Sequence, residues 1–316
     1  MLVYIKPVTM FPKLHSDRLF GAIFATISEI FPSKINEVKH DFESENPPFL
    51  ISSTFPVLDI NDSKIKFFPK IILKRKSEVN SIVEKDYKKV DYLEESIFFD
   101  LIKGNISEED ILNNYDDFSR VKNLLMLKGQ EKDIEIAQSL TPHNAINRLI
   151  NETDIFYSEG LVYGKNNGLF FLIEIFDESY VPIIKSCLKF LKDRGFGADI
   201  STGKGQFDYE IQDYNLVDLN ISDNKINAGD MFITLSRFIP TTDDLNHIGE
   251  ESNYEIASKR SIDKSGDKRK LVHYFKEGSL FLHYKKFYGQ IVDSGSYKPA
   301  IEYGYAFPIR YVSGGS

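Results

Sequence analysis

Apolar residues at helical spacing mark two segments of this chain. In SDRLFGAIFATISEIF, Leu19, Ile23, Ile27 and Ile30 fall on one face, which predicts a helix. Ser16 stands where an N-cap is expected, and Asp17 suits the positive end of the helix. In VPIIKSCLKFLKDR, Ile184, Leu188 and Leu191 repeat that spacing, with Lys189, Lys192 and Arg194 in the last turns and Gly195 where a terminating glycine belongs. Strand patterns surround both helices. LVYIKPVT opens the chain and QFDYEI follows the second helix, while DIFYSEGLVYGK and GLFFLIEIF read as a hairpin turning around Asn166, Asn167 and Gly168.

Setting aside residues 33–150 leaves strand, helix, strand, strand, helix, strand, the split βαβ or ferredoxin-like order. The excised stretch is too long for a loop and is read as an insertion projecting from the first domain. After Val217 come short aromatic strands: MFITLSRFIP, YEIASKRSI, KLVHYFKEGSLF, GQIVD and YGYAFPIRYV. Tyr303, Tyr305 and Phe307 are expected first of all in a core. The fold class is therefore α+β, with domains at 1–217 and 218–316.

Between the second helix and the strand that follows it lies GFGADISTGKGQF, with Gly195, Gly197, Gly203, Lys204 and Gly205. Such a run bends sharply and leaves its backbone open to close approach, as phosphate-binding loops do. It is not a nucleotide loop of the common kinds. Those run from strand to helix, whereas this one runs from helix to strand. Five residues rather than four separate Gly197 from the Gly203–Lys204 pair, Gly205 replaces the magnesium-binding Ser or Thr, and Ile200 stands where a dinucleotide fingerprint has its third glycine. RGFGADIS begins like an RNA-recognition submotif but continues differently at Ala198 and Asp199.

The chain has 316 residues, 42% hydrophobic and 27% charged, a composition of folded domains. A net charge of −8 argues against sequence-blind binding of nucleic acid over the whole surface, so a polyanion site must be local. One local candidate is KIKFFPKIILKRK, where Lys64, Lys66, Lys70, Lys74, Arg75 and Lys76 interleave with Phe67 and Phe68. This pattern suits either an RNA strand or a solvated hairpin guarded by lysines. The single Cys187 rules out a disulfide within the chain, and MLVYIKPV lacks the long apolar region of a signal peptide, so a cytoplasmic location is expected.

Catalytic signals are sparse. Six histidines are present, of which His15 and His143 fall in motif-like surroundings, but no two sit at a spacing that suggests a pair. Metal-independent RNA cleavage by acid–base chemistry is the alternative they leave open, and a phosphate-ligand enzyme using the glycine loop is another. No metal motif, nucleophile elbow or cofactor signature is present, and none of these is expected to operate.

The ordered series LHSDRLFGAIF, SSTFPV with FFPK, HNAINR, GFGADISTGKGQF, LSRFIP, FKEGSLF and KPAIEYGYAFPI resembles subunit four of the Csm complex. That complex is the type III-A CRISPR interference machine, and the subunit belongs to the RAMP superfamily. The resemblance implies two ferredoxin-like domains, the second degenerate and strand-rich, with the insertion as a thumb. It implies a non-catalytic subunit in the prokaryotic cytoplasm that binds the 5′ handle of CRISPR RNA and joins the large signalling subunit to the adjacent backbone subunit. Carried over, RNA contacts are expected at His15, Ser16 and Arg18, at His143, Asn144, Asn147 and Arg148, and at Arg194, Gly195, Gly197, Gly203, Lys204 and Gly205. Lys74 and Arg75 are expected to contribute from the thumb. Without the resemblance, Arg18 reads equally as a surface ion-pair partner and the asparagines as turn caps.

Overall fold

A computed structural model describes residues 1–60, 63–74, 81–129, 134–147, 152–197, 200–214, 229–261, 268–296 and 300–312. The chain opens with β1 (Leu2–Pro7), α1 (Ser16–Ile30), α2 (Ile35–Glu43), β2 (Phe49–Ile51), β3 (Phe55–Ile60) and β4 (Ser63–Pro69). There follow α3 (Ser81–Tyr87), β5 (Tyr92–Glu94), α4 (Glu95–Ile102), α5 (Glu108–Asn113), β6 (Phe118–Val121) and β7 (Leu124–Leu127). Two long strands, β8 (Ile136–Asn147) and β9 (Glu152–Tyr163), precede β10 (Asn167–Ile175), α6 (Tyr180–Arg194) and β11 (Phe207–Gln212). The C-terminal part holds β12 (Met231–Thr234), α7 (Thr242–Asn246), β13 (Ile256–Lys259), β14 (Val272–Phe275), β15 (Leu280–Leu282), β16 (Ile291–Asp293), β17 (Ile301–Tyr303) and β18 (Pro308–Tyr311).

The main sheet runs β11-β1-β10-β3 with antiparallel neighbours, then continues through β4, β5, β7 and β6. With α1 and α6 packed together, the first four strands have the order of a split βαβ fold. Both predicted helices are present. Leu19, Ile23 and Ile27 of α1 and Ile184, Leu188 and Leu191 of α6 are buried, as the spacing required, and Cys187 lies in the same core. Burial pushes its thiol up to about 12, which leaves it inert.

The hairpin expected around Gly168 does not form. β10 pairs with β3, from Asn167↔Leu58 to Phe170↔Phe55, while β9 pairs with β8 along twelve positions. Gly168 is a glycine for another reason: a Cβ there would come within 2.7 Å of the Ile5 carbonyl, so β1 can approach β10 only across a bare backbone. Alternation fixes which face a residue takes but not which strand lies beside it. The span 33–150 thus supplies β2, β3 and β4 to the sheets. The division at 217/218 falls in residues 215–228, outside the described residues.

The C-terminal strands form a three-stranded sheet β15-β12-β18 and two pairs, β13–β14 and β16–β17. They share one core with the first sheet. Tyr303, Tyr305 and Phe307 are fully buried. Tyr303 stacks on Phe20 at 4.7 Å and accepts the Ile51 N–H at its hydroxyl, while the Tyr305 hydroxyl donates to the Phe42 carbonyl. Phe67 and Phe68 are also fully buried, so the aromatic half of the basic run belongs to the core and cannot stack on bases. Of its cations, Lys64 pairs with Glu210 and Lys66 with Glu95.

Candidate nucleic-acid interface

The glycine loop begins where α6 ends. Gly195 caps the helix as its position predicted, its N–H donating to the Leu191 carbonyl at 2.7 Å. Phe196 then turns inward and packs between Phe11 and Phe207, with ring centroids 5.7 and 5.0 Å away. This plug anchors the loop. Gly205 closes it: its N–H donates to the Met10 carbonyl and its carbonyl accepts from Phe196 N–H, both at 2.9 Å. Gly205 has φ +74°, and a Cβ there would collide with the Phe196 backbone. Gly203, at φ +80°, has nothing within 4 Å of the place a Cβ would take. One end of the loop is clamped and its crest is open.

The long β8–β9 ribbon braces the loop. Phe11 and Leu161 exchange backbone hydrogen bonds at 2.8 Å, and Lys204 Nζ donates to the Ser158 hydroxyl at 2.6 Å. The segment after β1 therefore runs from the loop, where Pro12 lies beside Gly197, to the start of α1.

At that start the structure separates the expected contacts. The N-cap of α1 is His15, without a side-chain cap bond, and Ser16 is its first helical residue rather than its cap. Ser16 is wholly buried: its N–H donates to Ser53 Oγ at 2.9 Å, and its hydroxyl accepts the Arg237 N–H at 3.0 Å. It joins the two halves of the chain and presents no face to a ligand. Asp17 is buried beside it, bound by Arg237 at 3.1 Å and by Lys259, which also binds Glu302. Arg269 lies 3.6 Å from Glu302. The basic stretch SKRSIDKSGDKRK thus gives Lys259 and Arg269 to this network, and its residues 262–267 lie outside the described residues. Arg18 is exposed, near the Lys13 carbonyl at 3.4 Å.

His15 and Arg237 lie on a cleft of about 520 Å³, together with Lys13, Ser53, Thr54, Lys70, Tyr274, Lys276 and Glu277. Sequence reasoning did not single out Glu277 or Arg237, although both sit in quoted motifs, FKEGSLF and LSRFIP. Burial alone would push the Glu277 carboxyl up. The hydrogen bond and charge of His15, the Ser53 hydroxyl and the Arg237 charge outweigh it and hold the group at about 2. Asp17 behaves likewise: burial raises it, and Arg237, Lys259 and His15 bring it to about 2. Both folded-state values lie below the ordinary carboxylate range. Their contribution to stability is therefore complete above about pH 4 and is lost as pH falls through about 2. Urea midpoints are expected to drop steeply below about pH 4; a midpoint that stays level from pH 4 to 2 would contradict the network.

The other expected residues are dispersed. Arg194 is exposed and paired with Glu29. Lys74 is exposed beyond β4, and Arg75 lies outside the described residues. His143, Asn144 and Asn147 lie along β8, with Asn144 exposed, and Arg148 lies outside the described residues. Among the described residues no helix is long and apolar enough to cross a membrane.

Residues 227–311 match the family model described as the CRISPR Csm4 C-terminal domain. Among solved structures, the chain is similar to one in the Csm3–Csm4 subcomplex of the type III-A CRISPR-Cas interference complex, with 18% identity, a TM-score of 0.69 and 98% of each chain covered. It is also similar to a chain of the Csm1–Csm4 cassette in complex with pppApA, with 19% identity, a TM-score of 0.59 and 98% of this chain and 97% of that one covered. The same cassette with cA4 gives 18% identity and a TM-score of 0.55, over 98% and 97%. No curated protein matches. The comparisons agree with the resemblance carried by the motifs: residues 227–311 match the Csm4 C-terminal model, and the fold over nearly the whole chain is similar to one found in Csm4-containing complexes.

Proposed function

We infer that this chain serves as the Csm4 subunit of a type III-A CRISPR complex, holding the repeat-derived 5′ handle of CRISPR RNA without cutting it. The observation that carries this is the glycine loop, clamped at Phe196 and Gly205 while Gly203 faces open space beside Lys204. A preset backbone of this kind suits an RNA phosphate chain, because its open crest and the adjacent Lys204 are positioned before the ligand arrives. The Csm4-type C-terminal domain supports the setting, in which the chain joins a large signalling subunit to the first backbone subunit in the prokaryotic cytoplasm. The partners follow from the Csm3–Csm4 and Csm1–Csm4 assemblies whose fold it shares.

Co-expressed with those two subunit types and a CRISPR array, the chain is expected to purify in one assembly with RNA whose 5′ end is repeat-derived. An assembly free of RNA would overturn the reading. Purified chain incubated with labelled repeat RNA in the absence of metal is expected to leave it intact; cutting that disappears in His15→Ala would point to a ribonuclease instead.

A further inference from the structure

One face of the β8–β9 ribbon addresses the glycine loop through alternate residues. Ser158 and Gly160 lie on the same side of β9, and Thr141 stands across from Ser158 on β8. All three meet the loop or the segment that clamps it. Ser158 Oγ accepts from Lys204 Nζ at 2.6 Å, the Thr141 hydroxyl lies 3.7 Å from Met10 Sδ, and a Cβ on Gly160 would come within 2.6 Å of Met10 Cγ. The Met10 carbonyl in turn holds the Gly205 N–H. Tyr157, one residue before Ser158, takes the opposite face and is 62% exposed.

Lys204 is the cation beside the open crest at Gly203, and its ammonium is tied to the ribbon. A lysine carries its charge on a flexible four-carbon stem, so a loose one loses rotamer freedom when it closes on a phosphate. The contact with Ser158 removes that freedom in advance. A serine hydroxyl is a neutral acceptor and takes one of the three ammonium donors, so it orients the group without cancelling its charge. Ser158 and Lys204 are both half-buried, which strengthens the bond between them. Resting on the RNA-holding reading above, we propose that Ser158 is the positioning residue of the RNA grip: from β9 it aims Lys204 at the phosphate that lies across the Gly203 crest. The ribbon thereby sets the strength of the loop's hold, and a displacement of β9 loosens it.

The test follows release of a fluorescent repeat-derived RNA from the complex purified with its partner subunits, chased with unlabelled RNA over a range of salt. Lys204→Met is expected to speed release about tenfold and to lower the salt slope by about one. Ser158→Ala should speed release about fivefold, while Ser158→Thr, which keeps the hydroxyl on a strand-favouring residue, should match the wild type. Ser158→Ala added to Lys204→Met should change nothing further, because the serine acts through the lysine. Faster release on Ser158→Ala in both backgrounds marks a merely structural role and overturns the proposal. Equal weakness of the Ala and Thr variants overturns it too, as does release from Ser158→Ala at the wild-type rate; both leave the loop assignment standing. Lys204→Met releasing RNA at the wild-type rate removes the phosphate reading of the loop as well.

Discussion

Gly205→Ala and Gly203→Ala should separate the two halves of the glycine loop. At Gly205 the new methyl meets the Phe196 backbone, and the residue keeps a positive φ of +74°. The left-handed strain of about 1–2 kcal/mol adds to an overpacking cost of about 1–3 kcal/mol, so a loss of about 2–5 kcal/mol is expected. Thermal melts of the purified chain should show it as a drop of several degrees at least. At Gly203 the same substitution meets empty space, so only the strain of about 1–2 kcal/mol applies. The fold should survive. Gly203→Val would then raise a branched side chain on the open crest and weaken RNA retention about tenfold, because a phosphate could no longer lie against the backbone. Equal melting losses at the two glycines, or unchanged RNA retention in Gly203→Val, would contradict the division into a clamped end and an open crest.

Asp17→Ala should be the most damaging single change away from the loop. Its carboxylate is 2% exposed and binds both Arg237 and Lys259, tying α1 to the C-terminal strands. Removing one member of a buried pair leaves the other as an uncompensated charge, at a cost of about 3–5 kcal/mol. Arg237, with 13% of its side chain exposed, is the group left behind. Urea unfolding should show the loss as a lower midpoint. Adding Arg237→Ala to Asp17→Ala should cost clearly less than Arg237→Ala does alone, since the two share one interaction. Strict additivity would mean that the network is not a unit.

Local rules were enough for some of this. The 3.6-residue spacing located α1 and α6, and a glycine after a lysine-rich turn located the end of α6. YGYAF was read as core from its composition, and it is core. What failed needed knowledge of distant neighbours. Gly168 reads as a turn glycine until β1 is seen crossing it, and Phe67 and Phe68 read as base-stacking until β4 is placed inside the sheet. Glu277 lies 262 residues from His15, and Arg237 lies 220 from Asp17. No spacing rule reaches that far. Only the quoted motifs marked these positions, and they marked them without saying which residues meet.

The central claim is that the glycine loop holds RNA inside an assembly. Photocrosslinking of RNA in the purified complex, mapped to peptides of this chain, tests it most directly. Crosslinks should concentrate at residues 195–205. RNA present in the complex but crosslinked only elsewhere on the chain, or not to it at all, would contradict the account.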